Sequence, residues 1–212
     1  SRTDLAVELN ETVDKEDTAY SGVKVREHTD GITGIKITEL TITSKEGEKL
    51  FNKEQGTYIT IEASECSMGD SDYDASLIGI VTERLRDVVE PFIVNNRSIL
   101  VIGLGNRDIT ADSLGPQVVE GLHVNRHIVT CNSNDCRLSS LVPGVMAQTG
   151  METSQIVKGI VATSKPGVVI VIDALAARNV EHLNKTFQIS DRGINPGSGV
   201  GNHRSGITDK TI

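Results

Sequence analysis

The stretch Ser98-Ile-Leu-Val-Ile-Gly-Leu-Gly-Asn-Arg-Asp-Ile-Thr-Ala-Asp-Ser-Leu-Gly-Pro116 decides how the chain is read. A short apolar run, Ile99 to Ile102, stops at Gly103. A polar loop carrying Asp108 and Asp112 follows, and then a helix-like segment begins at Leu114. Downstream, Val168 to Ile172 repeats the pattern, ending at Asp173 and leading into Ala174-Leu-Ala-Ala-Arg178. Continuous β-branched runs are the mark of strands buried in a parallel sheet. Ligands of open α/β sheets bind beyond the carboxyl ends of such strands. Both units therefore aim at one cleft, with Asp112 and Asp173 as its candidate acids.

Working outward, the alternation of strands and helices predicts an α/β fold with a central, mostly parallel sheet flanked by helices. Residues 71–212 form its core, with an amphipathic helix over Ser71 to Val94 that uses Ala75, Ile78, Val81, Leu85, Val88 and Val89, is capped through Ser71 and Asp74, and ends or kinks at Pro91. Further helices are expected over Leu114 to about Leu122 and over Thr153 to Ser164, the latter with Ile156, Ile160 and Val161 apolar. His127 to Leu141 reads as irregular and Phe187 to Ser190 as a further strand. Residues 22–64 differ in character. Val23 to Arg26, Gly34 to Thr43 and Tyr58 to Glu62 alternate with period two, the signature of half-buried antiparallel strands. In the second of these the apolar set slips, from Ile35 and Ile37 to Leu40 and Ile42. Ser44 to Gly47 reads as a turn and Glu48 to Lys53 as a short helix. This β-rich stretch is expected as an addition to a single domain spanning 1–212, preceded by a polar arm over residues 1–20. The chain ends at Ile212 without another strand, so a C-terminal part is expected to be missing.

Composition narrows the function. The 212 residues carry a net charge of −8, which repels a phosphate backbone and argues against direct nucleic-acid binding. Aromatics make up only 3%, so the core must be aliphatic. No run approaches a membrane span. Cys66, Cys131 and Cys136 are an odd number without a CxxC pair, which suits a reduced cytoplasmic chain and gives no zinc signature. Gly103 and Gly105 lack the third glycine of a dinucleotide loop, and Asp108 would oppose a pyrophosphate. The histidines His123 and His127 are four apart without HExxH, and Ser198 lies in a turn-like Pro-Gly-Ser-Gly rather than GxSxG. No cofactor and no metal ligand set is expected. A close pair of carboxylates, by contrast, resists double ionisation and shares a proton. One member can then take a proton from water while the other donates to a carbonyl oxygen.

Several longer blocks carry a resemblance. They are Arg2-Thr-Asp-Leu-Ala-Val-Glu8, Val101 to Asn106, Asp112-Ser-Leu-Gly-Pro116, Leu141-Val-Pro-Gly-Val-Met146, Thr149-Gly-Met-Glu-Thr-Ser154, Ile172 to Arg178 and Gln188 to Asn202. In this order they cover almost the whole chain, which resembles the germination proteases of endospore-forming bacteria. The resemblance implies an atypical aspartic endopeptidase, with a fold similar to hydrogenase-maturation proteases, that degrades small acid-soluble spore proteins during germination. It implies Asp112 and Asp173 as the catalytic pair and a self-processing homotetrameric zymogen in the spore core. The self-processing bond falls at Asp4–Leu5, and a helical tail is implied beyond Ile212. Gly103, Gly105, Asn106, Gly144 and Glu152 are expected to shape the cleft. The rival readings are a metal-dependent peptidase on the same fold, a peptidyl-tRNA hydrolase sharing the Gly-Leu-Gly-Asn strand end, and a non-enzymatic binding module. The acidic balance opposes the hydrolase.

Overall fold

The computed structural model describes residues 5–6, 22–63, 69–129, 135–195, 206–208 and 210–212. In chain order its elements are β1 (Val23–Thr29), β2 (Lys36–Ile42), α1 (Lys45–Phe51), β3 (Gly56–Glu62), α2 (Ser71–Val89), β4 (Ser98–Gly103), α3 (Leu114–Glu120), β5 (Arg137–Leu141), α4 (Met146–Thr149), α5 (Thr153–Ser164), β6 (Val168–Ile172) and β7 (Thr186–Ser190). They fall into two compact units, the first drawn mainly from Ser1–Val88 and Ala176–Arg192, the second mainly from Val89–Leu175. The arm over residues 10–21, Cys66, Cys131 and residues 196–205 lie outside the described residues.

The first unit is an antiparallel sheet in the order β1-β2-β3-β7. Its β1–β2 hairpin turns on Asp30, whose Oδ1 accepts hydrogen bonds from the backbone N–H of Ile32 and from both N–H and hydroxyl of Thr33. Such Asx-type bonding lets a short polar turn replace ladder bonds. The slip along β2 has a physical meaning, because the sheet is covered on both faces. Ile35 and Ile37 join Ile59, Ile61, Ala63 and the α2 residues Tyr73 and Leu77 in one core. Leu40 and Ile42 join Val23, Phe51 and Tyr58 in another, which α1 covers through Phe51.

Local signals were partly misassigned. Ser44 to Gly47 is a helix start rather than a turn, since the Ser44 hydroxyl accepts from the Gly47 N–H at 3.0 Å and α1 begins at Lys45. The cap of α2 is Asp70, whose Oδ1 accepts from Asp72 and Tyr73, while Asp74 reaches back to the Gly69 N–H. That helix turns Tyr73 and Leu77 inward and leaves Ile78 65% exposed. It stops at Val89, and a 3₁₀ turn over Glu90–Phe92 carries Pro91. β7 pairs with β3 and so extends the antiparallel sheet.

The second unit is a parallel sheet in the order β5-β4-β6. β4 is central, and Leu100, Ile102 and Leu104 pack with Val157 of α5 and with Ile207. β5 was read as irregular because Arg137-Leu-Ser-Ser-Leu141 lacks an apolar run. Every residue of it is only half-buried, and the strand is held by its ladder to β4 rather than by side-chain burial. Together the two sheets and their helices make the predicted α/β class.

Two expectations follow from this packing. Ile102 is fully buried on the central strand. Ile102→Ala should therefore lower unfolding free energy by about 2–5 kcal/mol and Ile102→Val by about 0.5–1.5 kcal/mol in urea titrations. Tyr58 is buried and its hydroxyl donates to the Glu54 carbonyl at 2.9 Å. Burial, followed by the negative charges of Glu54 and Asp191, pushes its phenol up to about 12. The folded state then resists ionisation that the unfolded chain undergoes near pH 10. Stability should be full below about pH 10 and fall from there towards pH 12, and Tyr58→Phe should remove this alkaline component when unfolding is measured against pH.

Candidate functional site

The site is built where β4 and β6 end. Beyond the last paired residues, the Leu104 N–H donates to the Ile172 carbonyl at 2.8 Å. Asp173 and Gly105 each follow that hydrogen bond by one residue. From Gly105 the chain leaves the sheet with φ +113, a conformation that L side chains rarely adopt. A Cβ at Gly105 would lie 2.0 Å from the Asp112 carbonyl oxygen and 3.1 Å from its Oδ1. The sequence of contacts Asp173, Ile172, Leu104, Gly105, Asp112 thus joins the two predicted acids through two strand ends.

Asp112 closes the loop on itself. The Asn106 N–H points at both its carbonyl oxygen, at 3.0 Å, and its carboxylate Oδ2, at 2.9 Å. The Ile109 N–H donates to the Asn106 carbonyl, and the Asp112 N–H donates to the Ile109 carbonyl. Asn106 Oδ1 accepts from the Asp108 N–H at 3.0 Å. A 3₁₀ turn over Thr110–Asp112 then passes through buried Ser113 into α3. Asp112 is half-buried at the edge of this loop. Asp173, also half-buried, accepts the Ala174 N–H on Oδ1 at 2.9 Å.

Close backbone approach fixes the loop to the sheet. A Cβ at Gly115 would meet Leu104 and Ile172 backbone atoms at 2.4–2.7 Å, and one at Gly103 would meet the Gly115 carbonyl oxygen at 2.2 Å. The start of α3 therefore rests directly on the ends of β4 and β6. Gly115 went unnoticed as a site residue. Its sequence signal was a glycine immediately before a helix proline, where no turn requires one.

The remaining predicted residues divide. Gly144, with φ +74, lies next to Gln148 and Thr149 of α4. Gln148 Nε2 reaches Asn106 Oδ1 at 3.5 Å, which brings Gly144 within two contacts of the Asp112 loop. Gln148 was not foreseen. Glu152 precedes α5, and its carbonyl accepts from the Gln155 and Ile156 N–H groups. Its side chain makes no capping bond, and no hydrogen bond among the described residues ties it to either aspartate. Leu5 is buried in the first unit, and Asp4 lies outside the described residues. Two open depressions, of about 420 and 380 Å3, are lined by residues of the first unit and touch neither aspartate. Among the described residues no three His, Cys, Asp or Glu side chains are grouped to hold a metal ion, and no helix is long and apolar enough to cross a membrane.

Asp173, just past the end of β6, and Asp112, in the loop that leaves β4, lie beyond the carboxyl ends of adjacent parallel strands, where open α/β sheets bind ligands. The comparisons with known proteins give the family. The family model described as germination protease matches residues 2–212. The chain is 42% identical over 224 residues to a germination protease of Bacillus pumilus, covering 100% of this chain and 60% of that protein. It is 42% identical over 221 residues to that of Bacillus subtilis, with 59% of that protein covered. It is 37% identical over 217 residues to that of Clostridium tetani, with 66% covered. The chain belongs to the germination protease family, and it spans about three-fifths of the length of the first two relatives.

A side chain at position 105 cannot coexist with the closed loop. Gly105→Ala should cost about 1–3 kcal/mol or more in stability, as strained left-handed backbone does. It should also expose the Asn106 amide, read as faster hydrogen exchange at that residue than at the β4 amides.

Proposed function

We propose that this chain carries the catalytic part of an atypical aspartic endopeptidase in which Asp112 and Asp173 act as a pair. The observation that supports the reading best is the shared anchorage of the two acids, with Asp173 following Ile172 and Asp112 held by Asn106 in the loop that leaves the bonded Leu104. In this mechanism one ionised carboxylate accepts a proton from a water molecule as the oxygen attacks the scissile carbonyl carbon. The other, protonated, donates to the carbonyl oxygen, and the pair returns a proton to the departing amine.

Family membership supports small acid-soluble spore proteins as the substrates and the spore core as the setting. In the same reading the protein is a homotetrameric zymogen that cuts itself at Asp4–Leu5, works without a cofactor, and requires neither nucleic acid nor membrane. The acidic net charge of −8 does not oppose a protein substrate.

The test is cleavage by the full-length protein of a peptide containing Thr-Asp-Leu-Ala-Val-Glu. Asp112→Asn and Asp173→Asn should each lower kcat by about 10²–10⁴-fold, the range for losing a general acid or base. Chelator should leave the wild type unaffected. Retained activity in either variant would sink the carboxylate pair, and loss of activity in chelator would favour a metal-dependent peptidase.

A further inference from the structure

Leu5 and Ala6 are each only 1% exposed. Ala6 belongs to the core of Val23, Leu40, Ile42, Phe51 and Tyr58 on the α1 face of the antiparallel sheet. Its backbone N–H donates to Gln188 Oε1 at 2.7 Å, across 182 positions of sequence. Gln188 stands on β7, opposite Thr60 of β3. An apolar core and a side-chain acceptor within one unit therefore seat Ala6, and Leu5 before it is buried as well.

We propose that the seat is a binding site for the dipeptide that follows the Asp4–Leu5 bond, with Gln188 as its latch, so that the bond opens to cleavage only when the seat empties. The proposal rests on the self-processing reading given above. Its ligand is a large apolar residue followed by a small one. Leu5 is buried, and the small side chain of Ala6 is buried in one cluster with Phe51, Tyr58 and Leu40, where a close-packed core leaves little room for a larger one. A side-chain carbonyl suits the latch because every backbone N–H can donate to it, leaving selectivity to the apolar contacts.

The consequence is kinetic. A protease takes its substrate as an extended segment, with residues on both sides of the bond in the cleft. Leu5 and Ala6 cannot occupy a cleft and the seat together. When local opening is fast, the cutting rate follows the population of the open state. Losing one net hydrogen bond should raise that population by about 2- to 10-fold. After the cut, the same seat retains Leu5–Ala6 as a docked new N-terminus.

The experiment uses the full-length protein with Asp112→Asn, which silences proposed self-cleavage, and an added endoprotease that cuts before leucine. Mass spectrometry follows the Asp4–Leu5 cut, and hydrogen exchange follows the Ala6 amide. Gln188→Ala should raise both rates by about 2- to 10-fold. Gln188→Glu keeps an acceptor oxygen and should stay near the parent. Ala6→Leu overfills the seat without altering β7 and should also raise cutting. Equal rates in all four forms would overturn the seat. With Asp112 intact, self-cleavage should rise by the same factor in Gln188→Ala. Faster opening with unchanged self-cleavage would overturn the latch. Faster opening with no self-cleavage in any form would leave the seat standing and remove the self-processing reading.

Discussion

The hydrogen bond from the Leu104 N–H to the Ile172 carbonyl is the constraint on which the candidate site depends. It is one rung past the regular β4–β6 ladder, at the point where both strands stop. One residue further on, each chain segment turns away and carries an acid, Asp173 directly and Asp112 through its grip on Asn106. The rung can form only because nothing protrudes at Gly115 or Gly103, where backbone stands against backbone. Small residues, a strand end and an amide thus determine where the carboxylates sit, although none of these groups is chemically reactive.

Much of this was legible in the sequence because β4 and β6 are written as continuous β-branched runs. Ile99 to Ile102 and Val168 to Ile172 read as parallel strands, as they are, and Asp173 directly follows the second. The loop's covalent order was visible, but its closure was not. The double acceptance of one amide by Asp112 is a tertiary event, and the reach of Gln148 to Asn106 joins positions 42 apart. Gly103 was expected only to shape the cleft. Its role is to admit the Gly115 carbonyl, a requirement that only the packed start of α3 creates.

The misreadings share a physical origin. β5 carries two serines because a strand at the margin of the described parallel sheet is held by its ladder and asks little of its side chains. The slip in β2 looked like a flaw in a half-buried pattern, yet it records a sheet that changes its buried face partway along, from the α2 side at Ile37 to the α1 side at Leu40. β7 was correctly read as extended, but its partner could not be read, since strand pairing over more than a hundred residues leaves no local mark. The α2 cap was misplaced by one residue because Asp70 and Ser71 are both good capping residues, and geometry chose between them.

The grip of Asn106 on Asp112 also makes the two oxygens of that carboxylate unlike one another. Oδ2 accepts the amide N–H at 2.9 Å. Oδ1 is turned away from that amide, so the loop fixes the orientation of the carboxyl group. Asymmetry of this kind turns a symmetric functional group into an oriented one, and it does so with a backbone amide that no side-chain substitution at position 106 deletes, except proline.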